Sequence, residues 1–343
     1  MPLFSALKAL VNSLFILLFY SVTLAQDSME YVEEFRDSKI LYADIGMSSA
    51  PFSIRNDFPN SINKIAYKNN FRPILGLGFA YKWLSIRVSF PVLGNMRKPV
   101  DFGETKQFNI GFDYTYKKVY LDAEFKGLTG FSIQDAAQWD NSLSTAHPNA
   151  VKPELGSFNF SLNSWYFNSV HFKMNALQGR RAHFTNKVTT WYVKGTFSVF
   201  GVGQLGESIV PIPMQSTTNG KTTAQQLSAM DVGFTPGYAY ANRIKNWQIS
   251  GWFGVGAVVQ GKFYTLPGGI TKGFLGLAPR YDFRLIVGYS SKDYFLFLSS
   301  EIDNKTIRFN DFIYRQNYYS LKLVGGYRFD HPKREKKKRG NSN

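Results

Sequence analysis

Apolar and polar side chains alternate strictly over runs of about ten residues, and no other feature limits the fold as much. In 107–116, QFNIGFDYTY, Phe108, Ile110, Phe112, Tyr114 and Tyr116 share one face, while Gln107, Asn109, Gly111, Asp113 and Thr115 share the other. A period of two belongs to a strand and not to a helix. The same pattern sets Leu84, Ile86, Val88 and Phe90 against Ser85, Arg87 and Ser89. It sets Phe158, Phe160 and Leu162 against Ser157, Asn159, Ser161 and Asn163. In 280–289 it sets Tyr281, Phe283, Leu285, Val287 and Tyr289 against Arg280, Asp282 and Arg284.

Alternation also occurs in soluble sandwiches, and three details separate the cases. The strands approach the length that crosses a bilayer at a tilt, beyond the five or six residues or so usual in sandwiches. Aromatic residues gather near strand ends, at Tyr81 and Trp83, Tyr116 and Tyr120, Trp165 and Tyr166, and Tyr318 and Tyr319. Such pairs suit interfacial girdles. Charges stand on the polar face in mid-strand, which a watery lumen accepts and a dry core does not. The fold class expected is all-β, a transmembrane antiparallel barrel of about 14 strands, with 12 as the other count.

The lumen-facing candidates are Arg87, Asp113, Asp122, Glu124, Lys126, Lys173, Arg280, Asp282, Arg284, Lys322 and Arg328. They mix signs, whereas a channel tuned to one ion sign shows a ring of one sign. Mixed signs fit an interior crossed by salt bridges or a narrow polar pore. The last strand places Tyr319, Leu321, Leu323, Tyr327 and Phe329 on one face. A final amphipathic strand ending on an aromatic residue is the assembly signal of outer-membrane barrels, so the barrel-assembly machinery is an expected partner.

Residues 1–25 carry Lys8, an apolar stretch over 14–20, and small residues Thr23 and Ala25 before Gln26. They read as a cleavable secretory signal. An acidic linker is expected over 26–38, the barrel over 39–329, and a basic periplasmic tail over 330–343. Of the formal net charge of +16, the tail segment 331–343 holds +5, from Lys333, Arg334, Lys336, Lys337, Lys338 and Arg339 against Glu335. Export argues against nucleic acid as the partner of this run. Outer-membrane lipids and an anionic periplasmic partner remain as its expected contacts.

Connection lengths give the topology, since short turns belong at the periplasmic end and long loops outside. Short turns fall at 82–83, 117–118, 167–169, 242–246 and 291–292. Longer loops fall near 48–72, 92–105, 128–156, 178–188, 262–277 and 308–316. Between 189 and 241 an upward strand is then missing, and 207–213, ESIVPIP, is expected to supply it. That gives 14 strands with both termini periplasmic.

Chemistry is sparse. There is no Cys and there are four His, so thiolate metal sites and Cys nucleophiles are excluded and no metal or cofactor is expected. The one G-x-G-x-x-G, at Gly201, Gly203 and Gly206, runs into a Pro-containing stretch and not the helix a dinucleotide needs. His171, placed on the polar face of a strand over 170–175, and His183, placed in an outer loop, have no acidic or hydroxyl partner at a spacing that dictates a triad. The function expected is passive, a narrow pore or a structural and binding barrel. A rim hydrolase acting on lipid or peptide and a soluble secreted β-protein are the alternatives.

Three runs also resemble a family: 70–92, NFRPILGLGFAYKWLSIRVSFPV; 105–131, TKQFNIGFDYTYKKVYLDAEFKGLTGF; and 234–256, FTPGYAYANRIKNWQISGWFGVG. Each is a glycine- and aromatic-rich hairpin similar to those of the DUF4421 family of Bacteroidota. The resemblance covers most of 39–329. It implies an exported outer-membrane barrel of unknown activity and brings no functional residues with it.

Overall fold

The computed structural model describes residues 31–92, 94–116 and 119–329. The signal-peptide reading of 1–25 and the tail from 330 lie outside the described residues. Sixteen strands follow in chain order. The first eight are β1 (Val32–Glu34), β2 (Lys39–Ser49), β3 (Phe52–Arg55), β4 (Lys64–Asn69), β5 (Pro73–Tyr81), β6 (Leu84–Pro91), β7 (Lys106–Tyr116) and β8 (Val119–Ile133). The others are β9 (Ala150–Phe167), β10 (Ala182–Phe184), β11 (Val188–Gly203), β12 (Gln226–Ile244), β13 (Trp247–Thr265), β14 (Thr271–Ser290), β15 (Tyr294–Arg308) and β16 (Ile313–Phe329).

Every pairing is antiparallel, and β16 pairs with both β15 and β2, so the sheet closes on itself. The ring runs β2, β5, β6, β7, β8, β9, β11, β12, β13, β14, β15, β16 and back to β2, which makes it 12-stranded. The hairpin β3–β4 joins the same sheet and brings it to 14 strands. Its β3 lies along β16 through Phe52–Gln316 and Arg55–Ile313, and its β4 lies along β8 through Tyr67–Ile133. The hairpin thus bridges the ring where the shorter β5, β6 and β7 have already ended.

The expected strand over 207–213 does not form. Residues 204–225 make a loop with two short 3-10 turns, Ile212–Met214 and Gly220–Thr223. Pro211 and Pro213 cannot donate to a ladder, and Ile209, Val210 and Met214 are buried instead. The parity conflict has a second source. Residues 170–178 are no strand but part of a single connection, 168–187, holding a short helix, Met174–Gln178, and β10. With both segments reassigned, the ring needs no extra strand.

One end of the ring, the turn end, carries the connections 82–83, 168–187, 245–246 and 291–293, together with the end of β7, the start of β8, the start of β2 and the end of β16. The opposite loop end carries 50–72, 92–105, 134–149, 204–225, 266–270 and 309–312. Residues 31–38, read as linker, are built into the fold: β1 pairs with β10 through Val32–Phe184 and Glu34–Ala182.

The outer surface is apolar. Leu41, Leu77, Ile110, Leu162, Phe253 and Leu298 are all exposed, each on the face of its strand turned away from the lumen. A contiguous exposed apolar belt around a closed barrel is a lipid-facing surface. The structure identifies a transmembrane barrel and sets aside the soluble alternative. At the turn end Trp83, Tyr166, Trp191, Trp247, Tyr294 and Tyr327 are exposed in a girdle. Of the aromatics expected at strand ends, Tyr120, Trp165 and Tyr318 point inward and are buried. Adjacent strand residues face opposite sides, so only one of Trp165 and Tyr166, and one of Tyr318 and Tyr319, can meet lipid.

Candidate functional site

The lumen holds three stacked layers, apolar at both ends and charged between. The loop-end layer packs Phe52, Tyr67 and Tyr314 from strands against Val210 and Met214 from the 204–225 loop. Phe52 stacks on Tyr67 at 4.3 Å between ring centroids, and the Tyr67 hydroxyl donates to the Ile209 carbonyl at 2.8 Å. The hairpin β3–β4 and the 204–225 loop therefore fold into the barrel mouth and fill it.

The turn-end layer is made by the connection 168–187 turning inward. Phe172, Met174, Leu177 and Phe184 pack on Trp165, Tyr192 and Trp252 of the wall. The helix Met174–Gln178 ends at Gly179 with φ +72°, where the Gly179 N–H donates to the carbonyls of Asn175 and Ala176. Residues with a Cβ enter this left-handed region at a cost, which is why Gly closes so many helices. From this turn Gln178 donates to the Tyr120 hydroxyl at 2.6 Å, and Gln248 and Ser250 donate to the carbonyls of Ala176 and Leu177.

Arg328 fastens this plug to the last strand. Its guanidinium donates to the carbonyls of Gly179, Arg180 and Ser291 at 2.7, 2.9 and 2.6 Å, and to Ser290 Oγ at 3.1 Å. It lies between the rings of Phe35 and Phe295, 4.1 and 4.8 Å from their centroids. It is 1% exposed.

Between the two apolar layers lies a polar space with one lobe of about 110 Å³ and another of about 50 Å³. Arg87 grips Asp44 with two hydrogen bonds of 2.6 and 2.8 Å. Arg284 meets Glu301 at 2.5 Å, and Lys126 meets Glu124 at 2.7 Å. Arg280 pairs with Asp231. Asp282 takes Lys194 at 2.9 Å and the Trp252 indole N–H at 2.7 Å. Asp113 receives Arg181 and Arg180 from the plug. Asp122 and Lys322 line the same space. Inside low-dielectric walls a charge is tolerated only with a partner, and this lumen supplies both signs.

Ten of the eleven charged candidates thus occupy the lumen, counting Arg328 at its turn-end edge. Lys173 does not. It precedes the plug helix, outside the ring strands, and pairs with Glu34. Sequence reasoning missed Asp44, Lys194, Asp231 and Glu301, and also Arg180 and Arg181. The first four stand on the polar face of alternating strands and could have been found by extending that pattern. The two arginines could not, because they reach the lumen only through a folded connection. Tyr319, Leu321, Leu323, Tyr327 and Phe329 of β16 face outward, each 41–49% exposed.

Neither His suspected of chemistry stands where the sequence placed it, since His171 lies in the 168–187 connection and not on a strand. His171 packs on Tyr31 with ring centroids 4.1 Å apart and planes tilted by 33°. His183 lies in the plug and not in an outer loop, 3% exposed, with Nε2 2.8 Å from Glu33 and Nδ1 3.4 Å from Ser290 Oγ. Serine, histidine and a carboxylate do meet, but Ser290 is fully buried and its oxygen already accepts from Arg328. His147, on the loop after β8, and Asp101, on the short helix Pro99–Phe102, lie 2.9 Å apart and form a pair that sequence spacing did not show. Among the described residues no three metal-ligating side chains cluster.

Closed ring, apolar belt and filled lumen together define a transmembrane β-barrel of the outer-membrane kind, plugged by its own chain. Residues 25–329 match the family described as domain of unknown function DUF4421, and the chain belongs to that family. No curated protein matches the chain in sequence. Among solved structures it is similar to the outer membrane protease OmpT of Escherichia coli, at 10% identity and TM-score 0.40, over 87% of this chain and 98% of that one. It is similar to the translocator domain of the autotransporter NalP of Neisseria meningitidis, at 10% identity and TM-score 0.42, over 85% and 88%. A third is an outer membrane channel of Pseudomonas putida F1, at 10% identity and TM-score 0.34, over 89% and 100%. Similarity at this level says nothing of this chain's chemistry.

Proposed function

We propose that this protein is a passive barrel of the bacterial outer membrane whose lumen is shut at rest, acting as a structural or binding element of the envelope. The observation that carries this reading is the pair of apolar layers inside the lumen, one at each end. A conducting pore keeps a wetted path, whereas here water would have to cross two packed cores. The mixed-sign interior supports the same reading, since paired charges stiffen the wall and leave no single-sign ring to select ions.

In this reading the turn end, with both chain termini, faces the periplasm and the larger loops face outward. The asymmetry of connection lengths supports that orientation. The basic run from Lys333 to Arg339 would then lie near anionic headgroups, worth roughly 1 kcal/mol per basic residue at a charged surface. The outward face of β16 is proposed to be read by the barrel-assembly machinery.

Conductance of the purified, folded barrel in a planar bilayer tests the proposal. A silent membrane is expected, with folding checked by heat-modifiable migration in SDS gels. Stable, discrete steps from the unaltered protein would overturn the closed-barrel reading.

A further inference from the structure

A cleft of about 420 Å³ opens at the turn end, and the two seals do not account for it. Three separate parts of the chain build it. The entering segment gives Glu34 and Arg36, the wall gives Lys82, Trp83 and Thr115, and the plug gives Lys173, Asn175 and Arg181. The Lys82 N–H donates to the Arg36 carbonyl at 3.0 Å, which holds those two cations side by side.

The charge is lopsided. Four cations face the cleft against one carboxylate, Glu34, and only Lys173 pairs with it. Arg36 and Lys82 make no ion pair among the described residues. Arg181 is 4% exposed; its Nη2 serves Asp113, Thr115 and Asn175, while its Nη1 has no partner within the protein. A buried guanidinium N–H without an acceptor is costly, and this residue lines the cleft.

We infer that the cleft binds a phosphate group. A phosphate brings more than one negative charge and several acceptor oxygens, which suits the two cations left after Lys173 pairs with Glu34 and Arg181 with Asp113, namely Arg36 of the entering segment and Lys82 of the wall. A carboxylate offers two oxygens and one charge and would leave one of the two cations unmet. The volume exceeds a bare phosphate, so there is room beside Trp83 for the body that carries it. A soluble phosphomonoester and a phospholipid headgroup share this chemistry, and both can reach a cleft beside the turn-end girdle. A bound phosphate would tie the entering segment, the wall and the plug together. This inference goes beyond the closed-barrel reading and does not depend on conductance.

The test uses the full-length barrel in zwitterionic detergent at fixed ionic strength, titrated with inorganic phosphate in a calorimeter. One saturable site is expected, weakened at least tenfold in the double variant Arg36→Gln with Lys82→Asn. Both residues are exposed, outside either seal, and Lys82 has φ +53°, which Asn tolerates. A control at the loop end, Lys64→Gln with Lys98→Gln, should leave binding unchanged. In a second arm the barrel sits in phosphatidylcholine vesicles and phosphatidylglycerol is added. A rise in the thermal midpoint that the double variant lacks, without binding of inorganic phosphate, assigns the site to a lipid headgroup. Absence of both effects, or effects that survive in the double variant, overturns the inference. Should the double variant fail to show heat-modifiable migration, Arg36→Gln alone carries the same comparison.

Discussion

Arg328 concentrates in one side chain what holds the plug in place. Its donors serve three carbonyls and one hydroxyl, and two phenyl rings enclose it. Truncation would leave buried carbonyls on both plug and wall without donors, so Arg328→Ala should cost about 3 kcal/mol. Faster proteolytic cleavage within 168–187 and a lower gel-shift temperature would show it. Arg328→Lys should recover little, because an ammonium cannot span the fork of acceptors; full recovery would mean that charge alone matters. His183 adds a pH dependence. Burial, with the Arg243 charge next, lowers its pKa to about 4 from an ordinary 6.5, against the opposing pull of Glu33. The imidazole is thus neutral in place, with Nε2–H donating to Glu33. Released, it would bind a proton below about pH 6.5. Plug stability is therefore complete above that pH, declines as pH falls toward 4, and changes no further below. Cleavage of the plug at pH 5 should exceed that at pH 7, and His183→Gln should flatten the difference. Equal slopes in both proteins would exclude His183 as the cause. The alternation in 319–329 already assigned Arg328 to the inner face, but its acceptors belong to a distant connection that no local pattern reveals.

Among the elements, the strands were legible and the infolded segments were not. A period of two is a property of neighbours in sequence, so Phe108 to Tyr116 or Leu84 to Phe90 declare their faces without help. The connection 168–187 carries Phe172, Met174, Ala176, Leu177, Ala182 and Phe184, all buried, and over a short window such a run imitates a strand. Only its place at the end where the other turns are short sets it apart. The stretch 207–213 misleads in the same way, since its apolar residues are buried by a mouth that other strands create. Gly179 is the local mark of the true plug structure. A Cβ there would meet the Phe297 ring and would occupy a left-handed backbone. Gly179→Ala should therefore weaken the plug by at least the 1–2 kcal/mol or so of the backbone term, seen as easier cleavage within 168–187 in a barrel whose ring still resists heat. A substitution without effect on cleavage would mean that the helix end is not part of the latch.

For the whole molecule, the arrangement of two apolar seals in series around a charged middle makes a definite demand on any route through it. Each seal is built by different segments, the 204–225 loop with β3–β4 at one end and 168–187 with the entering segment at the other. The polar space between them shares no element with both seals except the ring itself. Opening one should leave the other intact. Leu177 is fully buried in the turn-end layer and Ile209 is 2% exposed in the loop-end layer. An unpaired carboxylate placed at either site costs several kcal/mol or more to bury, so the infolded segment leaves before the ring does. Leu177→Asp and Ile209→Asp should each remain silent in a planar bilayer, while the double variant should give discrete conductance steps. Those steps should show weak ion preference, because Arg87–Asp44, Arg284–Glu301 and Lys194–Asp282 line the path with both signs. Heat-modifiable migration would establish that the ring is still closed in all three. Conduction by either single variant would show that the two layers are not independent barriers, and a silent double variant with both segments accessible to protease would place the block in the charged middle itself.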